Sequence, residues 1–207
     1  MNIKISYAIA ACNEHKELNN LLTFLFANKR SVDEVVVQID EFNHTQEVIE
    51  VINLFENLKV IYFNLNKDFA AFKNNLKQHC SGDYIFQIDA DEIPNKKLIS
   101  DLPNILINNI NIDLFLVPRV NIVNGLTENH IKKWSWKTNQ DGWVNWPDYQ
   151  FRIFKNNPNI RWQNKVHEII VGASNAVQLP MEEVYSLMHV KEISRQEAQN
   201  KVYENIS

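Results

Sequence analysis

The strongest constraint on this chain is a regular exchange of two hydrophobic periods over residues 1–120. Ile3 to Ala10 is a β-rich apolar run and predicts a first strand. Leu18, Leu21, Leu22, Leu25 and Phe26 then recur at helical spacing, with Asn13 a candidate cap for that helix. Glu34 to Ile39 predicts a second, buried strand. Val48, Val51, Ile52 and Phe55 mark a second helix, and Lys59 to Phe63 a third strand. Phe69, Phe72 and Leu76 mark a third helix, expected to stop at Ser81-Gly82, where glycine suits the left-handed position after a helix. Tyr84 to Ile88 predicts a fourth strand, ending in Asp89-Ala90-Asp91-Glu92; Pro94 closes that turn and a helix follows through Ile107. Leu114 to Val120 predicts a further strand. Strands separated by helices argue for an α/β fold with a mostly parallel, doubly wound sheet.

The period is lost after Asn121. The segment to Pro147 carries Trp134, Trp136, Trp143 and Trp146 among polar residues and reads as a long functional excursion. Tyr149 to Phe154 and Val166 to Val171 predict short strands beside the sheet. Ser194-Arg195-Gln196-Glu197 fits a capping box that opens a terminal helix. No repeat, low-complexity tract or linker interrupts the 207 residues, so one domain is expected.

The acidic turn carries the chemistry. Asp89 and Asp91 lie two residues apart at the carboxyl end of a predicted strand, so a persisting strand conformation points both side chains to one side. Ligands of open α/β sheets bind at that end. Two converging carboxylates repel unless a cation joins them, and Mg²⁺ or Mn²⁺ with oxygen ligands fits. Alternatively, the acids cap the helix after Pro94.

Composition removes other classes. Four glycines build no P-loop or dinucleotide loop. A formal net charge of −4 without a basic run argues against nucleic acid as a partner. Two cysteines, Cys12 and Cys80, form no disulfide framework and fit a reducing, cytoplasmic setting. Ile9-Ala10-Ala11-Cys12 superficially matches a lipoprotein cleavage site, but the apolar stretch before it is too short. No run approaches the ~18–20 apolar residues of a membrane span, so at most peripheral membrane contact is expected.

Six segments in order carry a resemblance: ISYAIAACNE (5–14), DEVVVQID (33–40), DFAAFKN (68–74), GDYIFQIDADEIP (82–94), PDYQFRIF (147–154) and WQNKVHE (162–168). In these the chain resembles family 2 glycosyltransferases of the GT-A fold, and more narrowly the short lipopolysaccharide-core type that includes β-glucosyltransferases. The resemblance implies an inverting, metal-dependent transfer of a hexose from a nucleotide-sugar, with a UDP-sugar expected, to a glycan or lipid-linked glycan. It implies that residues 1–120 bind the donor and 121–207 face the acceptor. Asn13 and Glu14 would border the nucleotide, Asp40 would accept from the base, and Lys73 and Asn74 would lie near the donor. Asp89 and Asp91, with Ala90 between them, would hold metal, ribose and diphosphate, and His189 would approach the metal. Asp148 would be the general base. Trp146, Gln150, Arg152, His167 and Glu168 would sit on the acceptor side.

Two features depart from the family pattern. The usual Asp-Gly-Ser-Thr-like loop is replaced by Asp40-Glu41-Phe42-Asn43-His44-Thr45. The chain also ends soon after the terminal helix, so the acceptor- or membrane-contacting elements of longer relatives are not expected.

Several residues keep two readings. Asp148 after Pro147 is also a common turn. His167-Glu168 are metal ligands, acceptor contacts or a structural pair. Arg152, Arg161 and Lys165 clamp an anion or form a solvated face. The tryptophans form a sugar platform or anchor an irregular loop. Two other functions compete: a nucleotidyltransferase, although Ala11-Cys12-Asn13-Glu14 is not a Gly-rich loop, and a non-catalytic nucleotide- or glycan-binding module.

Overall fold

The computed structural model describes the backbone of residues 3–204 and the side chains of residues 3–198. The expected alternation is present: β1 (Ile5–Ala11), α1 (His15–Asn28), β2 (Glu34–Asp40), α2 (Gln46–Ile52), β3 (Lys59–Phe63), α3 (Phe69–Gln78) and β4 (Tyr84–Asp89). Short β5 (Glu92–Pro94) and α4 (Lys96–Asn108) follow, then β6 (Leu114–Val117), β7 (Arg119–Asn124) and α5 (Glu128–Lys133). The remainder holds β8 (Gln150–Lys155), β9 (Arg161–Gln163), β10 (Ile169–Val171), β11 (Ala176–Gln178), β12 (Leu187–Glu192) and α6 (Ile193–Glu204).

The large sheet has the order β11-β6-β8-β4-β1-β2-β3. Its β4-β1-β2-β3 part is parallel. A small sheet, β5-β12-β7, stands beyond the end of β4, with β12 parallel to β7 and antiparallel to β5. Central strands are buried on both faces, which explains their near-continuous apolar runs. The helix α1 seals one face with Leu18, Leu21, Leu22 and Leu25, all fully buried. Each such leucine contributes about 1.5–3 kcal/mol relative to exposure.

The structure corrects several sequence expectations. Leu114–Val120 is not one strand: Pro118, without an N–H, breaks the ladder, and its two halves join different sheets. Strand β8 does not lie beside the sheet but is inserted antiparallel between β4 and β6. The Trp-rich excursion contains α5, capped by Thr127 and His130. Glu14, rather than Asn13, stands at the N-cap of α1; its carboxylate accepts from the backbone N–H of Cys12 and Asn13. The terminal helix already starts at Ile193, so Ser194 lies inside its first turn. Asn95 caps α4 by accepting from Lys97 N, so neither Asp89 nor Asp91 serves as that cap.

Gly82 is not a left-handed cap either. The helix α3 ends at Gln78, and a Cβ at Gly82 would stand 2.6 Å from Ser6 N and 2.9 Å from Ile5 C. Glycine is needed for close approach to β1, because backbone cannot move aside. Gly82→Ala is expected to cost about 2 kcal/mol through overpacking. At ~2–4 °C per kcal/mol for a chain of this size, the melting temperature falls by roughly 4–8 °C. A scanning-calorimetry midpoint within a degree of the parent would contradict the close approach.

Candidate active site

The carboxyl ends of β1, β2 and β4 open onto a cavity of about 640 Å³, closed on its far side by β7 and β12. This is where an open parallel sheet binds ligands. Glu14, Asp40, Lys73, Asp89, Ala90, Asp91, Asp148, His167, Glu168 and His189 all line it. Ten of the fifteen sequence-predicted residues therefore share one space.

Asp40 ends β2 and is buried; its carboxylate accepts from Phe42 N at 3.3 Å and Asn43 Nδ2 at 2.8 Å, which shapes the divergent 41–45 loop. Asp89 Oδ2 accepts from Arg152 Nη2 at 2.5 Å. Burial pushes the Asp89 carboxyl up, but Arg152, Lys73 and Arg119 outweigh it and hold the group well below the usual carboxylate range. Asp91 Oδ2 faces His189 Nε2 at 3.4 Å, Arg195 Nη2 at 3.5 Å and Lys191 Nζ at 3.9 Å. Its carboxyl also lies low: burial raises it, while the His189 contact and Lys191 overcome that.

Asp148 faces this turn across the cavity. Its Oδ2 accepts from Arg119 Nη2 at 2.6 Å, Arg119 Nε at 2.9 Å and Asn121 Nδ2 at 2.8 Å; its Oδ1 accepts from Gln150 Nε2 at 2.8 Å. Burial raises this carboxyl as well, and Arg119 with the three amide and guanidinium donors lowers it further. Asp148 is thus ionised at neutral pH and fixed in orientation. With three bonds on Oδ2 and one on Oδ1, Oδ1 is the oxygen with capacity for a hydroxyl proton.

The two-residue period of β7 and β12 supplies the polar wall. Pairing of Leu187 with Arg119 and His189 with Asn121 sets these side chains in register. Asn121 donates to Asp148, so its Oδ1 turns to His189 Nδ1 at 2.8 Å. That nitrogen therefore donates, which aims Nε2 at Asp91.

Residues 6–172 match the sequence profile of glycosyl transferase family 2. The chain belongs to this family. S. aureus TarS 1–349 in complex with UDP superposes with a TM-score of 0.65 at 16% identity, over 91% of this chain and 60% of that one. The same fragment in complex with UDP-GlcNAc gives 0.64 at 16% identity, over 92% of this chain and 59% of that one. S. aureus TarS itself gives 0.61 at 17% identity, over 92% of this chain and 37% of that one. This chain thus spans about 60% of the length of the TarS fragment. No curated protein gives a significant match. The expected GT-A arrangement, a mostly parallel sheet flanked by helices, is the one observed.

A family 2 site raises the question of a metal. Among the described residues, no three of His, Cys, Asp and Glu converge on one point. The protein offers Asp91 with His189 Nε2, and Asp89 beside them, on one wall of the cavity. That donor set is too small for an all-protein cage. It fits a hard divalent ion that takes its other ligands from water and a diphosphate. The hydrogen bond from His189 Nδ1 to Asn121 is the outer support that a ligating imidazole uses.

Five expected contacts are not on this cavity's wall, and each has another task. Asn13 lies outside it, its N–H held by Glu14. Asn74 braces the backbone of Trp162 on both sides, with Nδ2 to O and N to Oδ1 at 2.9 Å. Gln150 orients Asp148. Arg152 is 3% exposed and bridges Asp89 and Glu92. Trp146 lines a neighbouring cavity instead. Lys73 is paired with Glu168 and lies 4.4 Å over the Trp162 ring, tying α3 to the loop that carries His167.

Arg119, Asn121 and Lys191 line the cavity and are not singled out from the sequence; Trp136, weighed there with the other tryptophans, lines it too. The signal existed: in Arg119-Val120-Asn121 and His189-Val190-Lys191 polar residues alternate with apolar ones. That is a strand with one polar face.

Proposed function

We propose that this chain is an inverting, metal-dependent glycosyltransferase that moves a hexose from a UDP-sugar to a glycan acceptor. One observation carries the reading: Asp40, the Asp89–Asp91 turn and Asp148 line a single cavity at the carboxyl ends of the sheet. The complexes of TarS with UDP and with UDP-GlcNAc support a uridine donor. Residues 1–120 form the donor half and 121–207 the acceptor half of one domain. A sugar on a lipopolysaccharide, capsule or similar glycan is the proposed acceptor, and the cytoplasm the proposed location. No helix among the described residues is long and apolar enough to cross a membrane; at most peripheral membrane contact is part of the proposal.

The residues divide the work. Asp40 accepts from the base, and Glu14 and Lys73 flank the nucleotide. Asp91 and His189, with Asp89 beside them, would hold a Mn²⁺ or Mg²⁺ completed by water and the donor diphosphate, and that ion would neutralise the departing nucleoside diphosphate as a Lewis acid. Asp148 Oδ1 takes the proton of the acceptor hydroxyl while that oxygen attacks the anomeric carbon. The new glycosidic bond forms as the bond to the diphosphate breaks on the opposite face.

A thermal-shift panel of nucleotide-sugars with and without Mn²⁺ tests donor and metal together. At 100 times its Kd, a donor stabilises the native state by about 2.7 kcal/mol. That corresponds to a rise of roughly 5–11 °C at ~2–4 °C per kcal/mol. The rise is expected for UDP-sugars with Mn²⁺, and Asp91→Ala is expected to remove its Mn²⁺-dependent part. Equal shifts for all nucleotides, or none at millimolar donor, would overturn the reading.

A further inference from the structure

A second, open surface hollow of about 360 Å³ adjoins the first, lined by the exposed Lys137, Thr138 and Asn145 and the half-buried Asn139 and Trp146. Both cavities fall in the size range of small-molecule sites. Asn145 lines both, so they meet along one residue. Asn145 holds a left-handed backbone, φ 53°, and closes a turn: its N–H donates to Lys137 O at 2.8 Å and its Oδ1 accepts from Lys137 N at 2.9 Å. The two residues that flank this pair differ in address. Trp136 lines the main cavity, together with Asp148, and Trp146 lines the second. Each indole is braced by another: Trp136 by Trp134 at 4.7 Å between centroids, Trp146 by Trp143 at 4.9 Å, edge to face.

The chemistry of the second cavity is that of a sugar subsite. Its lining holds one indole, one hydroxyl, one ammonium and two amides, and no carboxylate. Asn139 Oδ1 already accepts from Asp141 N and Trp143 N, and Asn145 Oδ1 from Lys137 N, which leaves Asn145 Nδ2, Thr138 and Lys137 as the groups for a ligand. An indole face covers the apolar C–H face of a pyranose, while amides and hydroxyls exchange hydrogen bonds with ring hydroxyls. A single lysine is too little positive charge for a nucleic-acid track.

We infer that this cavity holds the second sugar of the acceptor, so that the acceptor glycan has at least two sugar residues. The inference rests on the glycosyltransferase reading above. The sugar that receives the hexose lies against Trp136, its attacking hydroxyl at Asp148. The next sugar passes over Asn145 and stacks on Trp146.

The test compares monosaccharide glycosides with their matched disaccharide glycosides (glucosides, galactosides and N-acetylglucosaminides) in transfer from the UDP-sugar that gives the largest thermal shift. The value of kcat/KM is expected to favour the disaccharide by at least about tenfold, equivalent to about 1.4 kcal/mol. Thr138→Phe, which places a bulky ring among the lining residues, is expected to bring that ratio near one; Thr138→Ser, which keeps the hydroxyl and adds no bulk, is expected to keep the preference. Quenching of tryptophan fluorescence by the same glycans, in the presence of UDP, reads binding without turnover. A ratio near one in the parent chain, or a preference untouched by Thr138→Phe, overturns the inference. Loss of donor binding and donor hydrolysis across the panel would instead strike the glycosyltransferase reading itself.

Discussion

Asp148→Asn is expected to lower kcat for transfer by roughly 100- to 10,000-fold, the range supplied by a positioned general base. The substitution is nearly isosteric, and the amide oxygen can still accept from Arg119 and Asn121. Binding of UDP, read by thermal shift, is therefore expected to persist. The pH profile gives a second readout. Burial raises the Asp148 carboxyl, but Arg119 and the neighbouring amides lower it further, so it lies below the ordinary aspartate value of ~3.9. A depressed native value means the ionised form, and the stability its ion pair adds, are fully present above ~3.9 and are lost only as pH falls through the lower native value. Any loss of activity between pH 7 and pH 5 must then come from another group. An Asp148→Asn variant within tenfold of the parent kcat would move the base elsewhere in the cavity.

The first half of the fold is legible in the sequence because its strands are buried on both faces and its helices on one. Such segments announce their type in runs like Val35-Val36-Val37 and in spacings like Leu18-Leu21-Leu22-Leu25. The acidic turn is legible because it ends such a run. The second half is not, for a physical reason. Strands β7 and β12 are short, half polar, and paired with each other across the chain, His189 beside Asn121. Neither has a period that predicts its partner. The supports of the site are hidden for the same reason. Arg152 reaches Asp89 across 63 residues only because β8 inserts antiparallel to β4, with Ile153 opposite Phe86. A local reading assigns such an arginine to solvent or ligand. The 41–45 loop shows the opposite case: its sequence departs from the family pattern, yet Asp40 still stands at the end of β2, on the wall of the cavity.

Arg152→Met is expected to be the most destabilising single change at the site. The guanidinium is 3% exposed and bridges Asp89 Oδ2 at 2.5 Å and Glu92 Oε1 at 2.7 Å; Glu92 itself is fully buried. Removing the cation leaves Glu92 with Arg119 alone and Asp89 without its nearest countercharge. Breaking a buried pair in this way costs about 3–5 kcal/mol, mostly the desolvation of the charge left behind. For a chain of this size that lowers the melting temperature by roughly 6–20 °C, at ~2–4 °C per kcal/mol. Both carboxylates are met by the one nitrogen Nη2, so Arg152→Lys is expected to melt above Arg152→Met, and below the parent because its ammonium is shorter in reach and more strongly hydrated. Adding Glu92→Gln to Arg152→Met is expected to recover part of the loss, because the neutral amide needs no countercharge. The contrast separates charge from packing. If Arg152 merely fills space, Met suffices and the second substitution adds damage. If it neutralises the floor of the acidic turn, the double variant melts higher than Arg152→Met alone.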